Sequence, residues 1–429
     1  MGLSLLLSLF FACSGDPAKA PPPAEGRAEA PEKGEEGGLA QTVGEDAEGA
    51  PASLPKAAKV ESSAALRAVQ AENAALRREL ATGSRPDPYA SLGLVNAHEH
   101  LYATKHLDRY LEAARRSGVS STIFVASPAF TLEGSGPKGE PGMSDNFDEI
   151  MVAAAEHPGE VIPFCTIDPA DPDRLDRLKR HVAAGAKGVK LYSGHSNLSA
   201  GPLNSPEMEP VYAYLEETGL PVNWHVNVLK YGEQLEAVLD AHPKLNVMVP
   251  HYGVTFWKPR DGGLERFKRM MSEHPNLYTD SSLGTREILL KGLAVMEQDP
   301  SIFLDLFRSF PDRIVWGTDS VVTGNSEKTP AWYSTVIWAT RDQLEQEVFT
   351  TPLGAGWSRY YQSGRDGDGR YKGLKLDPET LRKVYRDNAV AWLRIPLPAP
   401  AAAPAISPAA QTAGEVTPPP AATGAPSAR

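Results

Sequence analysis

At 429 residues and a formal net charge of −11, the chain has neither the basic balance nor the Lys/Arg clusters of a phosphate-binding surface, so no nucleic-acid partner is expected. Its only cysteines are Cys13 and Cys165, neither in a CxxC, which excludes a disulfide framework. Residues 14–57 and 396–429 are dominated by Ala, Pro, Gly and Glu and cannot bury enough apolar surface to offset chain entropy. They are expected to be disordered, which leaves a middle of roughly 300 residues, enough for one large α/β domain.

The chain opens with "MGLSLLLSLFFACSG", an apolar run too short for a transmembrane helix that ends in a small residue and a cysteine. Residues 1–13 resemble a bacterial lipoprotein signal, with "FFAC" as the lipobox and Cys13 as the acylated residue. Phe10 stands where Leu is usual, and no Lys or Arg precedes the apolar run. The resemblance implies an exported protein, lipid-anchored in the cell envelope on the periplasmic side, with membrane contact through the N-terminal anchor. Residues 14–57 would be its flexible tether. An ordinary secretory signal or a mis-assigned start codon is the alternative.

Residues 58–83 read as a short helix. Leu66, Val69, Asn73, Leu76 and Leu80 fall at a, d, a, d, a of a heptad, and an a-position Asn fixes register in parallel coiled coils. Barely two heptads are present, so the segment is either a homo-oligomerising stalk or a lone amphipathic linker.

From residue 84 to 395 the chain alternates apolar strand, polar turn and amphipathic helix. The strands are "LGLVNA", "STIFVAS", "VIPFCTI", "AKGVKLY", "LPVNWHV", "LNVMVPH", "NLYTDS" and "RIVWGTD". Between them lie helical patterns such as "HLDRYLEAARRSG" and "YGEQLEAVLDAHP", with apolar residues at i, i+3, i+4 and i+7. Eight such units predict an α/β fold of the (β/α)8 TIM-barrel type. A doubly wound open sheet is the alternative, but no Gly-rich nucleotide loop follows any strand.

The ten histidines separate by position. His157, His242 and His274 each precede a proline at a helix end, where the ring meets the helix dipole on the structural face of the barrel. His98, His100, His225 and His251 instead sit at the C-terminal ends of strands one, five and six, and Asp319 ends strand eight. Barrel active sites are built at that level. Residues at i and i+2 of a strand share a face, so His98 and His100 point into the barrel and Glu99 into its wall. One strand-end histidine is ordinarily a satisfied polar residue; four, with an aspartate, converging on one mouth read as a metal site.

These residues resemble the metal-dependent amidohydrolase superfamily, in its amidohydrolase-related branch that also holds the aminocarboxymuconate-semialdehyde decarboxylase group. The resemblance spans about residues 92–395 and rests on "NAHEHL", "GAKGVKLY", "VNWHVN", "VPHYG", "NLYTDSS", "RIVWGTDS" and "DPETLRKVYRDNAVAWL". Two departures are visible: Asn96 stands where that family carries Asp, and the segment from Thr351 to Lys375 reads as a lengthened loop.

The resemblance implies one divalent ion, Zn²⁺ first and Mn²⁺ or Fe²⁺ as alternatives, on His98, His100, His225 and Asp319. Asp319 would also move the proton of the attacking water, and His251 would polarise a carbonyl or protonate a leaving group. Lys190 is either a carbamylated bridge between two ions or a substrate-facing residue. His195, Asp168, Asp280 and Arg286 are candidate substrate contacts, and Asp168 and Asp280 are also candidates for orienting the ligand histidines. "RDGDGRYKG" lacks the residues of a calcium loop and reads as a solvated turn; Trp357, Tyr360, Tyr361 and Tyr371 beside it either form a lid or pack the loop down.

Three functions are compatible with this site. The first is hydrolysis of an amide, ester or lactone in a small-molecule substrate by a metal-activated water. The second is non-oxidative decarboxylation on the same centre, with Arg286 receiving the carboxylate. The third is a non-catalytic envelope binding protein.

Overall fold

All eight apolar runs form strands in a computed structural model that describes residues 63–127, 146–194, 201–256, 258–355 and 368–398. They are β1 (Leu94–His100), β2 (Val119–Val125), β3 (Val161–Thr166), β4 (Gly188–Leu191), β5 (Val222–Trp224), β6 (Val247–Val249), β7 (Leu277–Asp280) and β8 (Ile314–Val315). Rich in β-branched residues and buried on both faces, they pair in parallel in chain order from β1 to β8. Between β8 and β1 the contact is made by backbone bonds from Ala97 N to Trp316 O (2.9 Å), Asp319 N to His98 O (2.8 Å) and Val322 N to His100 O (2.7 Å). The sheet is a nearly closed barrel with helices between its strands, the TIM barrel expected from the pattern.

Inside the barrel, Val95, Ile123, Ile162, Phe164 and Met248 cluster with Trp392 and Leu393 of the helix Asn388–Leu393. The Trp392 ring lies 5.6 Å from that of Phe164, and its carbonyl accepts from Asn246 Nδ2 at 2.7 Å. The closing helix therefore plugs the end of the barrel opposite the strand C-termini, which leaves the other mouth for a site. His157, His242 and His274 each follow the last residue of a helix, as their "HP" context predicts.

The heptad segment is a helix, Ser63–Thr82, and it packs within its own chain against the helix Pro330–Glu345 and a hairpin beside it. Asn73 and Leu80, two of the heptad positions, are buried there, and Arg77 Nη2 donates to Pro352 O at 3.4 Å. Among the described residues no helix is long and apolar enough to cross a membrane. The signal with Cys13, the tether, residues 58–62 and the tail beyond Pro398 lie outside the described residues.

The loop expected from Thr351 to Lys375 requires a correction. Val348–Ala355 and Asp368–Lys372 are strands β9 and β10, an antiparallel hairpin, so the end of "RDGDGRYKG" is extended sheet rather than solvated turn. Its glycines and charges masked the alternation: Tyr371 turns inward to pack on Phe349, ring centroids 5.9 Å apart, while Arg370 faces out. Trp357, Tyr360 and Tyr361 fall outside the described residues.

A buried ion network fastens residues 85–87 to the outer helix. Arg341, with a fully buried side chain, holds Asp87 with both terminal nitrogens (2.7 and 2.6 Å) and donates Nε to Glu345 at 2.8 Å. Arg85 makes the same bidentate contact with Asp342 (2.9 and 2.6 Å), and the guanidiniums of Arg85 and Arg341 each lie 4.0 Å from the Trp338 ring. Removing one partner of such a pair leaves an uncompensated buried charge. Arg341→Met should therefore lower unfolding stability by about 3–5 kcal/mol, measured by denaturant titration.

Candidate metal centre

β1 delivers its two histidines through a bulge. Asn96 pairs with Thr122 and Glu99 with Phe124, so β1 advances three residues where β2 advances two. Strict alternation would put Asn96 on the same side as His98 and His100. The extra residue turns Asn96 outward, where its Nδ2 meets Tyr110 OH of the surrounding helix at 2.7 Å, while both histidines face the lumen. Gly317 of the β8 segment packs so close that a Cβ there would lie 3.1 Å from His98 Cβ and 3.3 Å from Ser282 Cβ, a spacing that favours glycine.

Asp280, at the end of β7, orients the inner rings. Its Oδ2 is 2.9 Å from His98 Nδ1, and its Oδ1 accepts from His251 N (2.9 Å), Ser282 N (3.0 Å) and Ser282 Oγ (2.6 Å). With the Ser282 proton given to Asp280, His251 Nδ1 is left to donate to Ser282 O (3.0 Å) or Oγ (2.9 Å). His98 and His251 thus both carry Nδ1–H and turn an Nε2 lone pair to the lumen. His100 Nδ1 is fixed by Ser127 Oγ at 2.8 Å, which Tyr192 OH meets at 3.1 Å.

His251 sits in an unusual backbone. From His251 through Val254 every φ is positive (56°, 54°, 75°, 56°), one turn of left-handed chain that aims the ring across the barrel towards β7 and β8. At its third residue, Gly253, a Cβ would meet Phe267 at 2.6 Å.

Asp319 completes the group from above β8. Its Oδ1 lies 3.3 Å from His100 Nε2 and 3.9 Å from His98 Nε2, and its Oδ2 lies 3.6 Å from His251 Nε2. Oδ1 is buried and has no hydrogen-bond partner. Lys190 Nζ stands beside this group, donating to Asn223 Oδ1 at 2.8 Å and lying 3.1 Å from His98 Nε2.

Burial governs the charges. It holds His98 down at about 3, with Lys190 adding to the effect, and holds His100 well below the ordinary histidine range, so the rings are neutral. It also lowers Lys190 to about 8 against the pull of Asp319 and Asp280. Asp319 is pushed well above the usual carboxylate range by burial and by Glu99. Burial alone would raise Asp280 too, but His98 and His251 outweigh it and keep this carboxyl ionised.

Among the described residues two tight groups of ligand atoms result, His98 with His100 and Asp319, and His98 with His251 and Asp280, each within 4.8 Å. The second is already committed, since hydrogen bonds occupy both oxygens of Asp280. The first suits a cation: a tetrahedral Zn²⁺ with bonds of about 2.0–2.1 Å sets its ligands about 3.3 Å apart, and the orphaned Asp319 Oδ1 stands at that distance from His100 Nε2.

The other expected residues are placed as follows. His225 is close to His251, ring centroids 5.3 Å apart, but belongs to neither tight group. Asp280 lies against His98 Nδ1 and His251 N. Asp168 caps its own turn, Oδ1 accepting from Ala170 N at 2.8 Å. Arg286 begins the helix Arg286–Gln298 and donates Nη2 to Leu353 O at 3.3 Å. His195 lies outside the described residues. Sequence reasoning passed over Ser127, Ser282 and Asn223. Asn223 was reachable, since it precedes His225 by two positions and shares its face; the serines carry no periodic signal.

Asn96 receives a definite role. Its Oδ1 accepts from the backbone N–H groups of His98 (3.2 Å) and Thr318 (3.0 Å), which fixes the amide orientation, and its Nδ2 donates to Tyr110 OH and Thr318 Oγ1, both at 2.7 Å. It joins β1 to β8, and none of these bonds goes to a histidine ring. An aspartate would set an acceptor against Thr318 Oγ1, so Asn96→Asp should cost about 1–3 kcal/mol of stability in a thermal or denaturant melt.

An amidohydrolase family model, Amidohydro_2, matches residues 95–395. No curated protein sequence matches significantly. A putative 2-pyrone-4,6-dicarboxylic acid hydrolase from Pseudomonas putida aligns at 16% identity over 71% of this chain and 98% of that one, TM-score 0.47. An amidohydrolase from Burkholderia multivorans with bound zinc aligns at 15% identity over 71% and 99%, TM-score 0.45. A 4-oxalomesaconate hydratase from Rhodopseudomonas palustris aligns at 13% identity over 70% and 95%, TM-score 0.42. Likenesses this distant carry neither substrate nor reaction. The family match covers well over half the chain and every candidate residue from His98 to Asp319, and the chain belongs to the amidohydrolase family.

Proposed function

We propose that this chain is a metal-dependent hydrolase acting on an amide, ester or lactone. The observation that carries the reading is the buried, partnerless Asp319 Oδ1 set between the neutral rings of His98 and His100. Membership of the amidohydrolase family supports an enzyme. A divalent ion, Zn²⁺ by the chemistry of its donors, would be held by His98, His100 and Asp319 with His225 as the further ligand. When bound, such an ion supplies Lewis acidity, which makes water nucleophilic at neutral pH.

The chain's own groups do the rest. Asp319 holds the proton of the attacking water. His251 offers an Nε2 lone pair 3.6 Å from Asp319 Oδ2, so it acts first as a base and only then, protonated, as the acid for the leaving group. Lys190 is read as an ammonium facing the substrate, which goes with one ion per chain. The N-terminal pattern supports export with lipidation at Cys13, and radiolabelled fatty acid incorporated by the wild type should be lost in Cys13→Ser.

Metal quantitation on the full chain should give about one divalent ion, lost with all activity in His98→Ala in a screen of esters, lactones, amides and aromatic carboxylates. Two ions, with one lost in Lys190→Ala, would overturn the one-ion reading; CO₂ release without hydrolysis would replace hydrolase by decarboxylase. His251→Asn should reduce kcat by about 10²–10⁴-fold. Because burial holds His251 below the ordinary 6.5, its base form persists as pH falls, and the acid limb of kcat/KM should lie below pH 6.5.

A further inference from the structure

The loop that carries Asp319 is held in backbone conformations it does not favour. Asp319 and Val321 have φ of 51° and 60°, in the left-handed region, which a side chain with a Cβ disfavours. With only two residues in β8, the sheet ladder cannot hold them. Glu99 does. Buried on the outer side of β1, its Oε1 accepts from His100 N (2.9 Å) and Val321 N (2.6 Å). Its Oε2 accepts from Thr318 Oγ1 (2.7 Å), Ser320 N (3.1 Å) and Ser320 Oγ (2.6 Å). From the other side Lys328 Nζ donates to Ser320 O at 2.8 Å and to Val321 O. These bonds fall on the residues flanking Asp319 and leave its carboxylate to the histidines.

We propose that Glu99 is the positioning residue of Asp319: by gripping Thr318, Ser320 and Val321 it holds the carboxylate between them 3.3 Å from His100 Nε2, ready for a divalent ion. The inference rests on the reading of Asp319 as a metal ligand. The same Glu99 also accepts from the His100 N–H, a backbone contact, whereas the His100 ring is held separately by Ser127 Oγ. Glutamine is a poor substitute, because its amide nitrogen would face N–H or O–H donors on whichever side it turned.

The test is a double-mutant cycle read by Zn²⁺ binding to the metal-free full chain, using wild type, Glu99→Gln, Asp319→Asn and the double variant. Glu99→Gln should weaken Zn²⁺ about 10–100-fold and cause no further loss once Asp319 is Asn. Equal losses in both backgrounds would mean a general scaffolding role and overturn the proposal, as would unchanged affinity in Glu99→Gln. A wild type that takes up no Zn²⁺ overturns the metal reading and this proposal together, whereas normal wild-type binding with unaffected Glu99→Gln overturns this proposal alone. Should Glu99→Gln not fold, Ser320→Ala runs the same cycle. It should weaken Zn²⁺ about 3–10-fold, only with Asp319 present, and an unchanged affinity there is equally decisive against the proposal.

Discussion

The site depends on how the barrel is closed. Seven of the eight strand contacts are parallel ladders, the one between β1 and β2 interrupted by a bulge, but β8 has two residues and meets β1 through isolated backbone bonds. Side chains make up the deficit: Asn96 joins the β1 backbone to Thr318, and Glu99 joins it to Thr318, Ser320 and Val321. Asn96 faces outward because of the bulge, and Glu99 because it alternates with the inward His98 and His100. The seam and the candidate metal centre are therefore two sides of one strand.

The fold was legible because its signal is repeated. Each of the eight strands from "LGLVNA" to "RIVWGTD" overlaps a structural strand, and the candidate site lies at their C-terminal ends. The hairpin of β9 and β10 was not legible, because glycine and charge in "RDGDGRYKG" speak for a turn when each residue is taken alone. Period-two reasoning placed His98 and His100 on one face, yet it could not reveal the extra residue of β1 that sends Asn96 the other way. A bulge has no composition of its own and is decided by pairing partners distant in sequence.

The second layer was harder to read than the first, for a physical reason. A ring that ligates an ion is restricted to a few residue types, whereas the group that fixes its tautomer needs only an oxygen. Here those oxygens come from Asp280, Ser282 and Ser127, on strand ends one and two places away around the barrel. Through Ser282 and Asp280, His98 and His251 share one hydrogen-bond network, so the tautomer of one ring constrains that of the other.

Trp392 and Leu393 bring the end of the domain into the barrel floor, with Ile395 and Leu397 packed against the same cluster. The described chain therefore ends, at Pro398, on the side away from the mouth that holds the candidate site. A tag, reporter or linker fused directly after Pro398 would start on the floor side of the barrel, behind the candidate site.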